Sequence, residues 1–410
     1  MNTKKTLNND GKLKMFFVYV TVVYTFILAA YPGTGVANIL SKVIFMGFYL
    51  LCICKARIIL DDINLLMAVF AVYMAVSLMI SFAFNGVSFG VILKEYMYEV
   101  FPILLFITIR YYNINIKNMF NLFVVVCLLF IILGLPVYFR QIPLLILSDE
   151  YTVMRNSAIA AGFGSYIGVI GMGYLSQLAF AVLLFDKTTI KYKKVFLILF
   201  FTFSLLTLQR SALLGLMFSI MLFFFQKAGN PKQLLKNIFL LLLIIVLFIL
   251  VLNKAALNFF PYDIGDHIRA TLRDFNLKDA LGGRSDQMFL YSDNIFQIIF
   301  GNGMGVFSPN NPHAIYSISD SSYYRIYNEL GIVGLSLFIL PFLLILYKAI
   351  NKKNYYLIYL VGFSLVSFYF NRTIWSIPGA YVFYIFLALE IPVKNDYIFE
   401  VEEKCLKKFP

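Results

Sequence analysis

The sequence predicts an all-α polytopic membrane protein of about 12 transmembrane helices, with one large outer loop between helices 9 and 10. Three observations predict it. Of 410 residues, 61% are hydrophobic and 13% charged, against about 45–50% and roughly 25% in soluble globular chains. Apolar runs such as Ile238–Leu252 are too long for barrel strands, and the alternating rhythm of an outer-membrane barrel is absent. Lysines recur in every second connection between the runs, as cytoplasmic loops require. A soluble enzyme, a single-span receptor and a disordered chain are excluded.

Spans are expected near 15–32, 36–54, 64–84, 87–109, 118–137, 166–185, 195–208, 211–225, 237–253, 328–347, 355–370 and 374–392. The first follows a basic lead (Lys4, Lys5, Lys12, Lys14) without a small-x-small cleavage site, so it reads as a retained signal anchor. The pair 195–208 and 211–225 reads as a hairpin turning at Gln209-Arg210. A single long helix would put Lys227, Lys232, Lys236 and Lys348–Lys353 outside. Legs of about 15 residues span roughly 22 Å of a core about 30 Å thick, which would leave Arg210 recessed below the outer surface. The expected organisation is one integral domain over 1–410 with a periplasmic loop insertion at 254–328. Both termini are expected in the cytoplasm.

The net charge of +13 does not point to nucleic acid, because most lysines fall on the cytoplasmic side. Four cysteines and two histidines supply no metal-ligand spacing and no disulfide framework. No metal and no cofactor is expected. The arginines behave differently from the lysines. All but Arg57 and Arg110 fall on the outer side: Arg140, Arg155, Arg210, Arg269, Arg273, Arg284, Arg325 and Arg372. Guanidinium offers a planar fork that matches phosphate and stays charged when desolvated. Recessed outer arginines therefore suggest an anionic ligand such as a lipid pyrophosphate. Pairing of each arginine with a loop acid, Glu329 among those available, is the alternative.

Four short segments then carry a resemblance. Leu205–Leu214 (LLTLQRSALL) resembles the S/T-x-R-small-small signature of the O-antigen polymerase and ligase superfamily, with Thr207 three residues before Arg210 rather than two. Met154–Gly164 (MRNSAIAAGFG) resembles its arginine-to-glycine stretch, and FGNGMG at 300–305 its glycine turn. Asp320–Gly334 (DSSYYRIYNELGIVG) is similar to the motif that closes the large outer loop. The chain is identified on these motifs as resembling a Wzy-type polymerase. The resemblance implies a lipid-linked glycosyltransferase, independent of metal and nucleotide sugar, that polymerises undecaprenyl-pyrophosphate-linked oligosaccharide into O-antigen or a related surface polysaccharide. Membrane lipid, a chain-length regulator and a flippase are the further implied partners. The same resemblance, carried by residues 154–164, 205–214, 300–305 and 320–334, implies the bacterial inner (cytoplasmic) membrane as the location. The ligase branch has His where Asp320 stands, eleven residues before Gly331, which weighs against a ligase; a lipid-linked oligosaccharide flippase is the alternative of another class.

On that resemblance, Arg210 and Arg155 would hold the pyrophosphate, with Arg284, Arg325 and Tyr323 as further ligand contacts and Arg372 as an additional outer arginine. Asp320, or His313 in its place, would serve as general base; Asp320 equally suits a helix N-cap. Glu95 and Glu99, four apart and on one helix face, either line a cavity or form an internal ion-pair set with an outer arginine. Gly301, Gly303 and Gly305 make either an anion nest or a plain turn.

Overall fold

The computed structural model describes residues 7–30, 61–110, 116–138, 169–206, 210–228, 294–308, 311, 313–314, 321–370 and 379–391, with the isolated residues 47, 233 and 236. The helices are α1 (Leu7–Ala30), α2 (Asp62–Phe84), α3 (Phe89–Glu95), α4 (Phe101–Ile109), α5 (Ile116–Tyr138), α6 (Val169–Leu184), α7 (Lys193–Leu206), α8 (Arg210–Lys227), α9 (Ile295–Phe300), α10 (Ser322–Asn351), α11 (Tyr355–Phe370) and α12 (Gly379–Glu390). A π-helical turn, Tyr96–Val100, joins α3 to α4 into one continuous rod. Residues 207–209, between α7 and α8, lie outside the described residues.

Three helices of the described residues are long and apolar enough to cross a membrane: Asp62–Phe84, Ile116–Leu133 and Ser322–Asn351. The outward face of α2 exposes Val72, Val76, Met79, Ile80 and Phe84, a contiguous apolar surface that water does not tolerate on a soluble monomer. The chain is a multi-pass membrane protein.

The scaffold of about 12 transmembrane helices does not hold. Among the described residues, the apolar stretches Phe16–Ile27, Gly171–Leu184, Ser211–Lys227, Tyr355–Tyr369 and Gly379–Glu390 each run to fewer than 18 residues, against the roughly 20 that a 30 Å core requires. The physical reason is visible in α12, where every residue but Leu389 is buried inside the bundle. A helix apolar on all sides is either a membrane span or a core helix, and hydropathy alone does not separate the two. The runs expected at 36–54 and 237–253 lie outside the described residues, as does most of the 254–328 insertion.

The helices pack with α10 between α2 and α11, α12 against α4, α6 and α1, and α8 against α6 and α11. Aromatic rings fill the interior: Phe386 meets Phe120 and Phe123 edge-on, with centroids 4.7 and 4.8 Å apart.

Charges sort to one end of this bundle. Asp61 caps α2 by accepting from the Asn64 N–H (2.8 Å) and takes both arms of the Arg110 guanidinium (2.7 and 2.6 Å). Burial opposes ionisation of Asp61, but the Arg110 fork and the Asn64 N–H outweigh it and hold the carboxyl below its usual range. Lys187 pairs with Glu390 (2.7 Å), Lys193 with Asp186 (2.5 Å) and Lys348 with Asp62 (3.9 Å). Lys227 ends α8 at this same end, beside Asp186. The far end of α2, at Ser77, Ser81 and Asn85, meets the turn that follows α9, and the exposed Lys94 lies on α3, which begins near that end.

Candidate functional site

The site is built on the α3–α4 rod. Pro102 stands one residue into α4 and has no N–H to donate, so a preceding carbonyl is left without its helical partner. The chain widens into the π turn, with the Phe101 N–H reaching back to Tyr96 O, and the Tyr381 hydroxyl donates to Met97 O (2.8 Å). π turns are rare and cluster at functional sites. This one spans the residues between Glu95 and Glu99 and aims both carboxylates at Arg325 of α10.

Arg325 Nη2 lies 2.5 Å from Glu95 Oε2, Nη1 lies 2.6 Å from Glu99 Oε1, and Nε lies 3.2 Å from Glu329 Oε2. All four side chains are almost fully buried. A single guanidinium thus binds three carboxyl groups from two chain segments. Ionisable groups inside a membrane protein are costly and face one another or a functional cavity. Three carboxyl groups around one guanidinium can take up a proton or accept a hydroxyl donor, and the second of these is realised by Ser308 Oγ, which donates to Glu95 Oε1.

Ser308 belongs to the turn over residues 301–308 that follows α9. The Phe307 N–H donates to Glu329 Oε1 (3.1 Å) and the Met304 N–H to Ser77 Oγ (2.9 Å). The N–H groups of Asn302 and Gly303 bond Asn328 O and Glu329 O (both 2.9 Å), and Asn85 Nδ2 donates to Asn302 O (2.7 Å). Backbone meets backbone closely where Gly301 (φ 82°, ψ −178°) faces Gly331 (φ 67°, ψ −167°), the kink in α10. A Cβ at either position would collide with main chain, at Glu329 O and Ile299 O respectively. The Tyr73 hydroxyl is shared by Phe300 O and Leu330 O (3.1 and 3.0 Å), fastening both sides of the crossing to α2.

Of the residues singled out in the sequence, the structure brings Glu95, Glu99 and Arg325 together. Tyr323 packs its ring on Phe338 and Phe368 and donates its hydroxyl to Leu365 O (2.6 Å). His313 is exposed, its backbone N–H donating to Asn311 Oδ1 (3.1 Å). Arg210 opens α8, at the end opposite Lys227; its side chain lies outside the described residues, as do Asp320, Arg155, Arg284 and Arg372. The N-cap of α10 is Ser321, whose hydroxyl makes no cap bond and instead reaches Phe368 O (3.4 Å). Ser308 and Glu329 complete the cluster; no signal in the sequence singles out Ser308, whereas Glu329 is one of the acids open to an outer arginine and stands i,i+4 from Arg325. Among the described residues no group of three or more His, Cys, Asp or Glu is arranged to hold a metal ion.

No protein-family model matches the chain, and no curated protein matches it. The resemblance to the O-antigen polymerase and ligase superfamily therefore rests on its short motifs alone, and the scaffold it implies is not the one found. With three qualifying spans among the described residues, the assignments as a polymerase, as a ligase, as a flippase of lipid-linked oligosaccharide and as a lipid-linked glycosyltransferase do not hold. Nor do the O-antigen, lipopolysaccharide and polysaccharide-biosynthesis roles attached to them. What fold and site define is a class: a multi-pass helical membrane protein with an arginine–carboxylate centre buried away from its lysine-rich end.

Proposed function

We propose that the protein resides in the bacterial cytoplasmic membrane and binds an anionic lipid-linked glycan, of the undecaprenyl-pyrophosphate-linked oligosaccharide class, at its outer end. The observation that carries this reading is the segregation of charge along the bundle. Lys187, Lys193, Lys227 and Lys348 gather at one end, which the positive-inside rule assigns to the cytoplasm. Helix α12 finishes there, at Glu390. Helix α1 starts there too, since Tyr19 bonds Asn118 near the beginning of α5. Both termini then emerge on the cytoplasmic side. The clamped turn at 301–308 and the start of α8 at Arg210 face outward, and the 254–328 insertion is periplasmic. Arg325 is fully used by its three carboxylates, so pyrophosphate recognition falls to Arg210, with Arg155 and Arg284 in support.

Two measurements test it. With Cys52, Cys54, Cys127 and Cys405 replaced, single cysteines at His313 and Lys191 are exposed to a membrane-impermeant thiol reagent in intact cells. Labelling at 313 and protection at 191 is expected; the reverse pattern overturns the orientation. Purified protein in lipid nanodiscs should bind undecaprenyl pyrophosphate well above undecaprenol. Arg210→Ala should lower that affinity by about tenfold or more, and Arg210→Lys should restore only part of it, because an ammonium lacks the bidentate fork. Equal binding of the alcohol and the pyrophosphate sinks the ligand assignment.

A further inference from the structure

A second polar feature runs through the aromatic core. It begins at the lysine-rich end, where Glu390 accepts from Lys187 Nζ (2.7 Å) and Asn354 Nδ2 (3.3 Å). Lys187 Nζ also sits 5.1 Å above the ring of Tyr356, whose hydroxyl is near enough to Glu390 to feel its charge. The rings of Tyr356 and Tyr359 are 6.3 Å apart, and Tyr359 donates to Gln177 Oε1. Tyr174, one turn before Gln177 on α6, stacks on Phe363, which stacks in turn on Tyr359 (centroids 6.1 and 5.9 Å apart). Tyr384 lies one turn beyond Tyr381 on α12, and the Tyr381 hydroxyl bonds Met97 O in the π turn that carries Glu99. Glu99 is held by Arg325, beside Glu95 and Glu329.

Every member of this file is buried. The Tyr356 and Tyr384 hydroxyls and Gln177 Nε2 make no hydrogen bond among the described residues. A buried polar atom left unmatched costs about 1–3 kcal/mol, and phenylalanine would fill the same ring volume without that cost. Orphaned polar atoms in native interiors mark sites where water or a functional partner supplies the missing bond. Here they line up between two charged clusters, one at each end of the file.

We propose that the file from Glu390 through Tyr356, Tyr359, Gln177, Tyr174 and Tyr384 to Glu99 is a water-assisted proton path joining the lysine-rich end of the bundle to the Arg325–carboxylate cluster. Each transfer breaks one O–H bond as the next forms. A proton enters at Glu390, one leaves from the Glu95–Glu99–Glu329 group, and each phenol returns to its neutral form. No electrons change hands and no co-reactant is consumed. The groups that face the two ends are Lys187 and Tyr356 at Glu390, and Arg325, Glu95, Glu329 and Tyr384 at Glu99.

The test uses the full chain, purified and reconstituted into phosphatidylethanolamine–phosphatidylglycerol vesicles loaded with a pH-sensitive dye. A potassium diffusion potential set with valinomycin drives protons inward. Wild-type vesicles should acidify faster than protein-free vesicles. Tyr384→Phe and Gln177→Leu, each checked for unchanged thermal midpoint and elution, should fall to the protein-free rate. Tyr347→Phe, at an exposed position, should keep the wild-type rate. Wild-type flux equal to that of empty vesicles, or wild-type flux in both Tyr384→Phe and Gln177→Leu, overturns the path and leaves these residues as static packing.

Discussion

Replacing Arg325 with methionine is expected to destabilise the protein by about 3–5 kcal/mol, the range for removing one partner of a buried ion pair. The magnitude belongs to what remains. Glu95, Glu99 and Glu329 would be left close together, buried and without their shared counter-charge. Arg325→Lys should fall between the two, since one ammonium cannot reach three carboxylates with the geometry of a guanidinium. Changing the whole set (Arg325→Met with Glu95→Gln, Glu99→Gln and Glu329→Gln) should recover much of the loss, because neutralising an entire buried cluster is often close to neutral. Thermal midpoints of the four proteins in one detergent decide the matter. A quadruple variant no better than Arg325→Met would show that the cluster stabilises through more than charge balance.

The second large effect is expected at the crossing of Gly301 and Gly331. Both adopt backbone angles in a region essentially reserved for glycine, where another residue costs of order 1–3 kcal/mol from conformation alone. The added methyl also strikes main chain rather than a yielding side chain, so the turn has to lift from α10. Gly331→Ala should therefore release the bonds from Asn302 and Gly303 to Asn328 and Glu329 and raise hydrogen exchange over residues 301–308. Gly90→Ala, with open space around its would-be methyl, is the control and should leave exchange unchanged. Unchanged protection at 301–308 in Gly331→Ala would refute the clamp.

Parts of the structure were readable from residue order. The long span over α2 follows from an unbroken apolar run bounded by Asp61 and the Asn85-Gly86 turn. The i,i+4 pairs Glu95/Glu99 and Arg325/Glu329 follow from helix period alone. The misjudgement concerned α6, α8, α11 and α12. Each is apolar enough to count as a crossing by hydropathy, whereas the apolar stretches described for them run to 17 residues or fewer.

Residue order determined that this chain belongs in a membrane, that its lysines and arginines separate, and that particular side chains share a helix face. Those properties are composition and local period, which the chain carries before it folds. Tertiary structure decided which apolar helices lie in the interior and which carboxylates meet Arg325. Glu95 and Arg325 are 230 residues apart, and nothing local pairs them. Burial, desolvation and charge balance belong to the neighbours a side chain acquires on folding, so the same glutamate is a surface acid or half of a buried ion pair according to the helix that packs across from it.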